Sequence, residues 1–216
     1  MRAHSAVAHD AFIYLIGGGD GPHYFHSVWR LDTQTLRWSK PALRGGQGGE
    51  KAPVPPRRRA HAAVSHPTRG IVVFGGGNGT HALDDVWALD VSRHSSVKWT
   101  ELKISGKRRP TARGYHTLSV VAKGDKAIVL GGSDGQECFA DVFVLDLVEL
   151  TWTEVKLEAP GVSFPRLSHS ACVLGSYILV FGGHDGQEYK NDVLFFDLGA
   201  SLPSRRVVAR GADEGL

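Results

Sequence analysis

Four histidines, His4, His61, His116 and His169, recur along the chain, each a few residues after an arginine: Arg2, Arg57, Arg113 and Arg166. A set of imidazoles is first a metal question. One ion would need the ring nitrogens within about 2.1 Å of it. Each histidine opens its own repeat unit, and equivalent atoms of successive units in a wide array lie too far apart for that. A structural hydrogen bond to backbone is the expected role. Cys138 and Cys172 stand in neither a Cys-x-x-Cys nor a Cys/His metal spacing. No Ser/His/Asp or Cys/His set is legible as a nucleophilic centre. The run Gly45 to Lys51 fails as a phosphate loop, with Glu50 before the lysine and Ala52 after it. The chemistry-bearing residues therefore predict no catalytic residue, no metal and no cofactor; the chain is not expected to be an enzyme.

These residues belong to a repeat. Gly17-Gly18, Gly75-Gly76, Gly131-Gly132 and Gly182-Gly183 recur at intervals of 58, 56 and 51 residues. Asp32, Asp90, Asp146 and Asp197 follow them, and Trp38, Trp99 and Trp152 close the first three units. A period near fifty residues with a double glycine and a trailing Trp is that of a propeller blade. Each unit holds four short apolar runs separated by Gly, Asp, Asn and Pro, which is strand and turn chemistry. No segment keeps a helical period over ten residues. The second run of a unit is apolar throughout, as in Ile71 to Phe74 and Tyr177 to Phe181. A strand covered on both faces requires that. Trp38, Trp99 and Trp152 are expected to be buried where blades meet.

The 216 residues thus form one array, 1–202, with repeats at about 1–44, 56–104, 110–158 and 165–202. Residues 203–216 read as a degenerate last strand or a disordered tail. Two inter-blade connections, 44–59 and 105–113, are polar and basic. Nucleic acid is disfavoured as a partner, because these loops carry no aromatic residue for base stacking and the net charge is only +3. The apolar runs are too short to span a bilayer. With scarce cysteine and no legible signal peptide, the expected location is cytoplasmic. Asn78-Gly79-Thr80 matches a glycosylation sequon but reads as a turn.

The pattern resembles the kelch-repeat family. The residues that carry the resemblance are Gly-Gly after the second strand, Asp85-Val-Trp-Ala-Leu-Asp90 on the third and Trp99 on the fourth. Asp141 to Asp146 and Asn191 to Asp197 repeat the third-strand motif. The spacing Gly106, Pro110, Arg113, His116 is similar to repeats of the host-cell-factor and cell-end-marker kind, more than to those attached to ubiquitin-ligase adaptors. The resemblance implies an all-β, kelch-type β-propeller with four blades of four antiparallel strands. Kelch rings usually have more blades, so an incomplete, open propeller is expected, able to self-associate through open blade edges. Unit four departs from the pattern, with Arg205-Arg206-Val207 where the closing Trp belongs.

The resemblance also covers two enzyme types. Kelch-type copper oxidases of the galactose-oxidase kind use tyrosines, histidines and a cysteine-linked tyrosine; Tyr115, Tyr177, Tyr189 and Cys138 are present, and a fragment or relative of such an oxidase is the alternative reading. Iron-dependent kelch proteins carry Glu-x-x-x-Asp-x-x-x-His, but here Glu137 and Asp141 lead to Leu145, and Glu188 and Asp192 lead to Phe196. A ligase adaptor would need a BTB or F-box segment, which is not seen in these residues.

The favoured function is a non-enzymatic scaffold binding a protein partner through loops on one propeller face. Loops between the second and third strands share Asp/Asn-Gly turns and then diverge, which nominates Asp20, His23, Asn78, His81, Asp134, Gln136, Asp185 and Gln187. Arg57, Arg113 and Arg166 enter on the same face, where ion pairing with the acidic loops is the plainer reading.

Overall fold

A computed structural model describes residues 1–45, 52–93, 95–121, 124–158, 164–198 and 206–211. The Gly-rich stretch 46–51 and residues 199–205 and 212–216 lie outside the described residues, and with them most of the failed phosphate loop and of the C-terminal segment. The described residues are all β and turn, apart from an isolated helical turn residue at Gly124. They form four blades of a kelch-type β-propeller, in two compact units, Met1–Lys103 and Ile104–Leu216.

In the first unit, blade one has β1 (Ser5–His9), β2 (Phe12–Ile16), a small hairpin of β3 (Gly19–Asp20) and β4 (His23–Tyr24), then β5 (Val28–Asp32) and β6 (Trp38–Ser39). Its sheet order is β1-β2-β5-β6. β7 (Ala42–Leu43) then leaves for blade two, which contains β8 (Ala62–His66), β9 (Gly70–Phe74), β10 (Val86–Arg93) and β11 (Ser96–Leu102). β7 pairs in parallel with β11, Ala42 opposite Ser96 and Leu43 opposite Val97. The end of one blade thereby covers the outer edge of the next, which would otherwise present unpaired amides.

The second unit repeats this plan. Blade three has β12 (Thr117–Val121), β13 (Lys126–Leu130), β14 (Val142–Asp146) and β15 (Thr151–Glu158). Blade four has β16 (Ser170–Leu174), β17 (Tyr177–Phe181), β18 (Val193–Asp197) and β19 (Arg206–Gly211). β19 is the fourth strand of its blade, antiparallel to β18. It also takes the overshooting end of β15 in parallel, Lys156 opposite Arg206 and Glu158 opposite Val208.

Each core lies between two blades. Val7, Tyr14, Ile16 and Val28 of blade one pack on Ile71, Val73, Leu89 and Trp99 of blade two. Ile128, Leu130, Val142 and Val144 of blade three pack on Ile178, Val180, Leu194 and Phe196 of blade four. Ile71 to Phe74 and Ala127 to Leu130 are buried on both faces. Tyr177 to Phe181 departs from that expectation: Ile178 and Val180 are buried, Tyr177 and Leu179 are partly open and Phe181 is exposed. β2 alternates likewise, with Tyr14 and Ile16 buried and Ile13 and Leu15 partly open. Both strands are as apolar as their counterparts in blades two and three, but among the described residues only one of their faces is covered.

The tryptophans divide on the same ground. Trp99 is 1% exposed and meets Trp87 edge-on at 6.5 Å. Trp152 is buried against Phe143. Trp38 corrects the expectation of burial, being 52% exposed on the open side of blade one.

Candidate interaction face

The residue before each repeat histidine has a left-handed backbone: Ala3 at φ 52°, Ala60 at 56°, Tyr115 at 59° and Ser168 at 57°. At Ala60 and Ser168 the incoming chain crosses the end of the preceding blade. In the first unit the Ala60 N–H donates to the Ala3 carbonyl and the Gly18 N–H to the Arg58 carbonyl, both at 2.8 Å. In the second, the Ser168 N–H donates to the Tyr115 carbonyl and the Gly132 N–H to the Arg166 carbonyl. In blades one and three the first glycine of the pair must lack a side chain here. A Cβ on Gly17 would stand 2.8 Å from the Arg58 carbonyl oxygen, and one on Gly131 only 2.3 Å from that of Arg166.

Two of the histidines, His61 and His169, join neighbouring blades through side chains, and a backbone hydrogen bond at Ile16 also acts on His61. His61 Nε2 is hydrogen-bonded to Ser5 Oγ at 2.8 Å, and His169 Nε2 to Thr117 Oγ1 at 3.0 Å. Among the described residues no three His, Cys, Asp or Glu side chains are grouped to hold a metal ion. Burial, seconded by the nearby Arg58, lowers the pKa of His61 to about 3; burial and Arg166 lower that of His169 to about 4. Between those values and the ordinary 6.5, the unfolded chain binds protons that the folded chain does not. Stability is therefore expected to fall as pH drops through that window, by up to about 1.4 kcal/mol per pH unit for each histidine. Urea midpoints from pH 7 to 4.5 measure the slope, and His61→Gln should flatten it. An unaltered slope would assign the acid sensitivity elsewhere.

The arginines make a second repeated device. Arg58 Nη1 and Nη2 donate to Asp85 Oδ1 and Oδ2 at 2.8 and 2.7 Å, and Nη1 also donates to the Gly75 carbonyl. Arg113 clasps Asp141 in the same bidentate way and donates to the Gly131 carbonyl. Arg166 does so with Asp192 and Gly182. All three arginines are at most 1% exposed. Burial opposes ionisation of Asp85, but the Arg58 bonds and the Trp87 indole outweigh it and lower its pKa. Blade one has neither partner: Met1 and Ser27 stand where the others have Arg and Asp.

This revises the nominated set. Arg113 and Arg166 are internal clasps and are not accessible to a partner. The clasp of blade two is Arg58, three residues before its histidine like the others, whereas Arg57 is exposed.

Each loop between the second and third strands is a small hairpin, closed by Gly19 with Tyr24, Gly77 with Ala82, Ser133 with Cys138 and His184 with Tyr189. Inside it an Asx turn sets the shape. Asn78 Oδ1 accepts the Thr80 and His81 N–H groups, Asp134 Oδ1 those of Gln136 and Glu137, and Asp185 Oδ1 those of Gln187 and Glu188. These bonds hold the Asp134 and Asp185 carboxyls below the usual range, with Lys190 adding to the effect at Asp185. In blade one Pro22 occupies the first donor position and has no N–H to give. Asn78, Asp134 and Asp185 are thus turn formers. Asp20, His23, His81, Gln136 and Gln187 are exposed.

Within each unit the two loops adjoin. A Cβ on Gly79 would lie 3.7 Å from the Tyr24 ring, and one on Gly186 would lie 3.5 Å from Cys138 Sγ. The Arg59 guanidinium stacks 4.7 Å from the Tyr24 ring centroid. With Arg57, His23 and His81, the first unit's loop surface combines cationic and aromatic side chains with the exposed carboxylate of Asp20. The second unit's carries Asp134, Glu137, Asp185 and Glu188, offset by Lys190, which binds both Asp185 and Glu188. Arg59 and Tyr189, the latter 92% exposed, were not nominated from the sequence. Tyr189 lies four residues after Asp185 as Tyr24 does after Asp20, and Arg59 two residues before its histidine as Arg2 does; those offsets were the available signal.

The KLHDC2/KLHL20/DRC7 Kelch-repeats domain family matches residues 3–202. The chain belongs to the kelch-repeat family. It is 31% identical to Kelch domain-containing protein 3 of Homo sapiens over 90% of this chain and 53% of that protein. It is 30% identical to F-box/kelch-repeat protein At1g51550 of Arabidopsis thaliana over 96% of this chain and 45% of the relative. Host cell factor of Drosophila melanogaster is 28% identical over 86% of this chain and 14% of its own length. The chain spans about half the length of the first two relatives.

Proposed function

We propose that this kelch propeller is a non-catalytic interaction module that binds another protein through the loops between the second and third strands and the segments entering each first strand. One observation carries the reading. The four hairpins share one closing pair, and three of them an Asx turn, while the exposed positions after the turn differ between the units, Pro22-His23 and Thr80-His81 in the first against Gln136-Glu137 and Gln187-Glu188 in the second. A rigid frame with variable exposed tips is what a recognition surface requires. The reader set is Asp20, His23, Arg57, Arg59, His81, Gln136, Gln187 and Tyr189. Charge of both signs suits a polar protein surface better than a phosphate backbone or an anionic bilayer, and no helix of the described chain is long and apolar enough to cross a membrane. A cytoplasmic site of action belongs to the same reading, supported by the unpaired Cys138 and Cys172.

The test begins with proteins captured on the immobilised chain and then purified for titration. Arg57→Glu combined with Gln136→Lys should weaken binding roughly tenfold or more. Gln34→Lys combined with Glu149→Lys, in loops at the other end of the strands, should leave it unchanged. The reverse result would assign the partner to that other end.

A further inference from the structure

The face of blade one turned away from blade two is an apolar sheet that no neighbouring blade covers among the described residues. Its cross-strand rows are Ala6-Leu15-Trp29 and Ala8-Ile13-Leu31-Trp38. Trp29 and Trp38 are 41% and 52% exposed. The matching rows of blade two are Ala63-Val73-Trp87 and Ser65-Ile71-Leu89-Trp99, and these are the rows that bury against blade one. Four of the large side chains are identical in type between the two faces: Ile13 and Ile71, Trp29 and Trp87, Leu31 and Leu89, Trp38 and Trp99. The open face of blade one is therefore one complete half of a blade-to-blade contact.

Blade four exposes the other half. Its open rows are Ser170-Phe181-Val193 and Cys172-Leu179-Phe195. Phe181 is 55% exposed. Their equivalents in blade three, Thr117-Leu130-Val142 and Ser119-Ile128-Val144, supply the surface on which blade four packs. A sheet face that met only water would be polar, and neither of these is.

The polar lock of the contact is also divided between the two ends. Within the units, the histidine of the following blade bonds a hydroxyl on the preceding one, His61 to Ser5 and His169 to Thr117. Ser170 holds that hydroxyl position in blade four, and His4 holds that histidine position in blade one; both are exposed. Above Gly17 and Gly131 the next blade's carbonyl and imidazole press in. Above Gly182 that space is open, its nearest neighbour being the Lys190 carbonyl at 3.5 Å.

We propose that these two faces are complementary halves of one contact and that they join two copies of this chain head to tail, blade four of one copy against blade one of the next. This is a heterologous contact, repeating between chains the arrangement found within each unit. It involves sheet faces and not the loop tips, so it stands or falls apart from the partner-binding reading.

The experiment is sedimentation velocity of the purified chain over a wide concentration range. The wild-type chain should show reversible, concentration-dependent association. Trp29→Glu breaks only the blade-one face, and Phe181→Lys only the blade-four face. Both side chains are exposed, so the folded chain tolerates the changes, which circular dichroism checks. If either variant fails to fold, Trp38→Glu and Leu174→Lys replace them on the same two faces. Each variant alone should associate roughly tenfold or more weakly. An equimolar mixture should form a one-to-one dimer, because one intact pair of faces remains. A monomer at every concentration, variants that associate like wild type, or a mixture that stays monomeric would each overturn the proposal.

Discussion

Arg113→Ala is expected to destabilise the second unit by about 3 to 5 kcal/mol, the range for removing one member of a buried ion pair. The Arg113 side chain is fully buried and stacks 4.3 Å from the Phe139 ring centroid. It donates to both oxygens of Asp141 and to the carbonyls of Gly131 and Thr111. Truncation strands a partly buried carboxylate and two carbonyls together with a guanidinium-sized void. Much of the loss is a penalty for groups left unpaired, not the worth of the pair. The paired change Arg113→Met with Asp141→Leu should therefore recover a large part of it. Arg57→Ala, at an exposed position in the first unit, should shift stability by no more than about 0.5 kcal/mol. Urea unfolding followed by near-ultraviolet circular dichroism measures all three. A cost below about 1 kcal/mol for Arg113→Ala would mean that the clasp is solvent-screened like an ordinary surface pair.

The clasp shows where sequence reading stopped. The repeat, its double glycine and its third-strand Asp were legible because they recur at a fixed offset. Asp85, Asp141 and Asp192 each lie ten residues after the first glycine of their unit, and Ser27 takes that place in blade one. Arg113 and Arg166 each lie three residues before a histidine, which singles out Arg58 from the run Arg57-Arg58-Arg59. Adjacent side chains on an extended segment point opposite ways, so choosing Arg57 selected the exposed neighbour. The left-handed residue before each histidine was not legible, because Ala3, Ala60, Tyr115 and Ser168 share the conformation without sharing one residue type. In the loops, the Asx turns followed from the Asp/Asn-Gly pairs, but the stacking of Arg59 on Tyr24 joins residues from different blades and has no local signature.

Coverage is the other quantity that residue type does not carry, and the tryptophans test it directly. Trp38 and Trp99 hold the same position in adjacent blades, opposite Leu31 and Leu89. Trp99 is enclosed by the blade-one residues of its core and by Trp87. Trp99→Ala is expected to cost about 3 to 5 kcal/mol, the range for emptying a large aromatic site in a packed core. Trp38→Ala should cost less than about 1 kcal/mol in a dilute monomer, because solvent already reaches the ring and no cavity forms. Chemical denaturation of the two variants at low protein concentration gives the comparison. Equal losses would show that the open side of blade one is covered in solution, and a Trp38→Ala loss that grows with protein concentration would place that cover on a second copy of the chain.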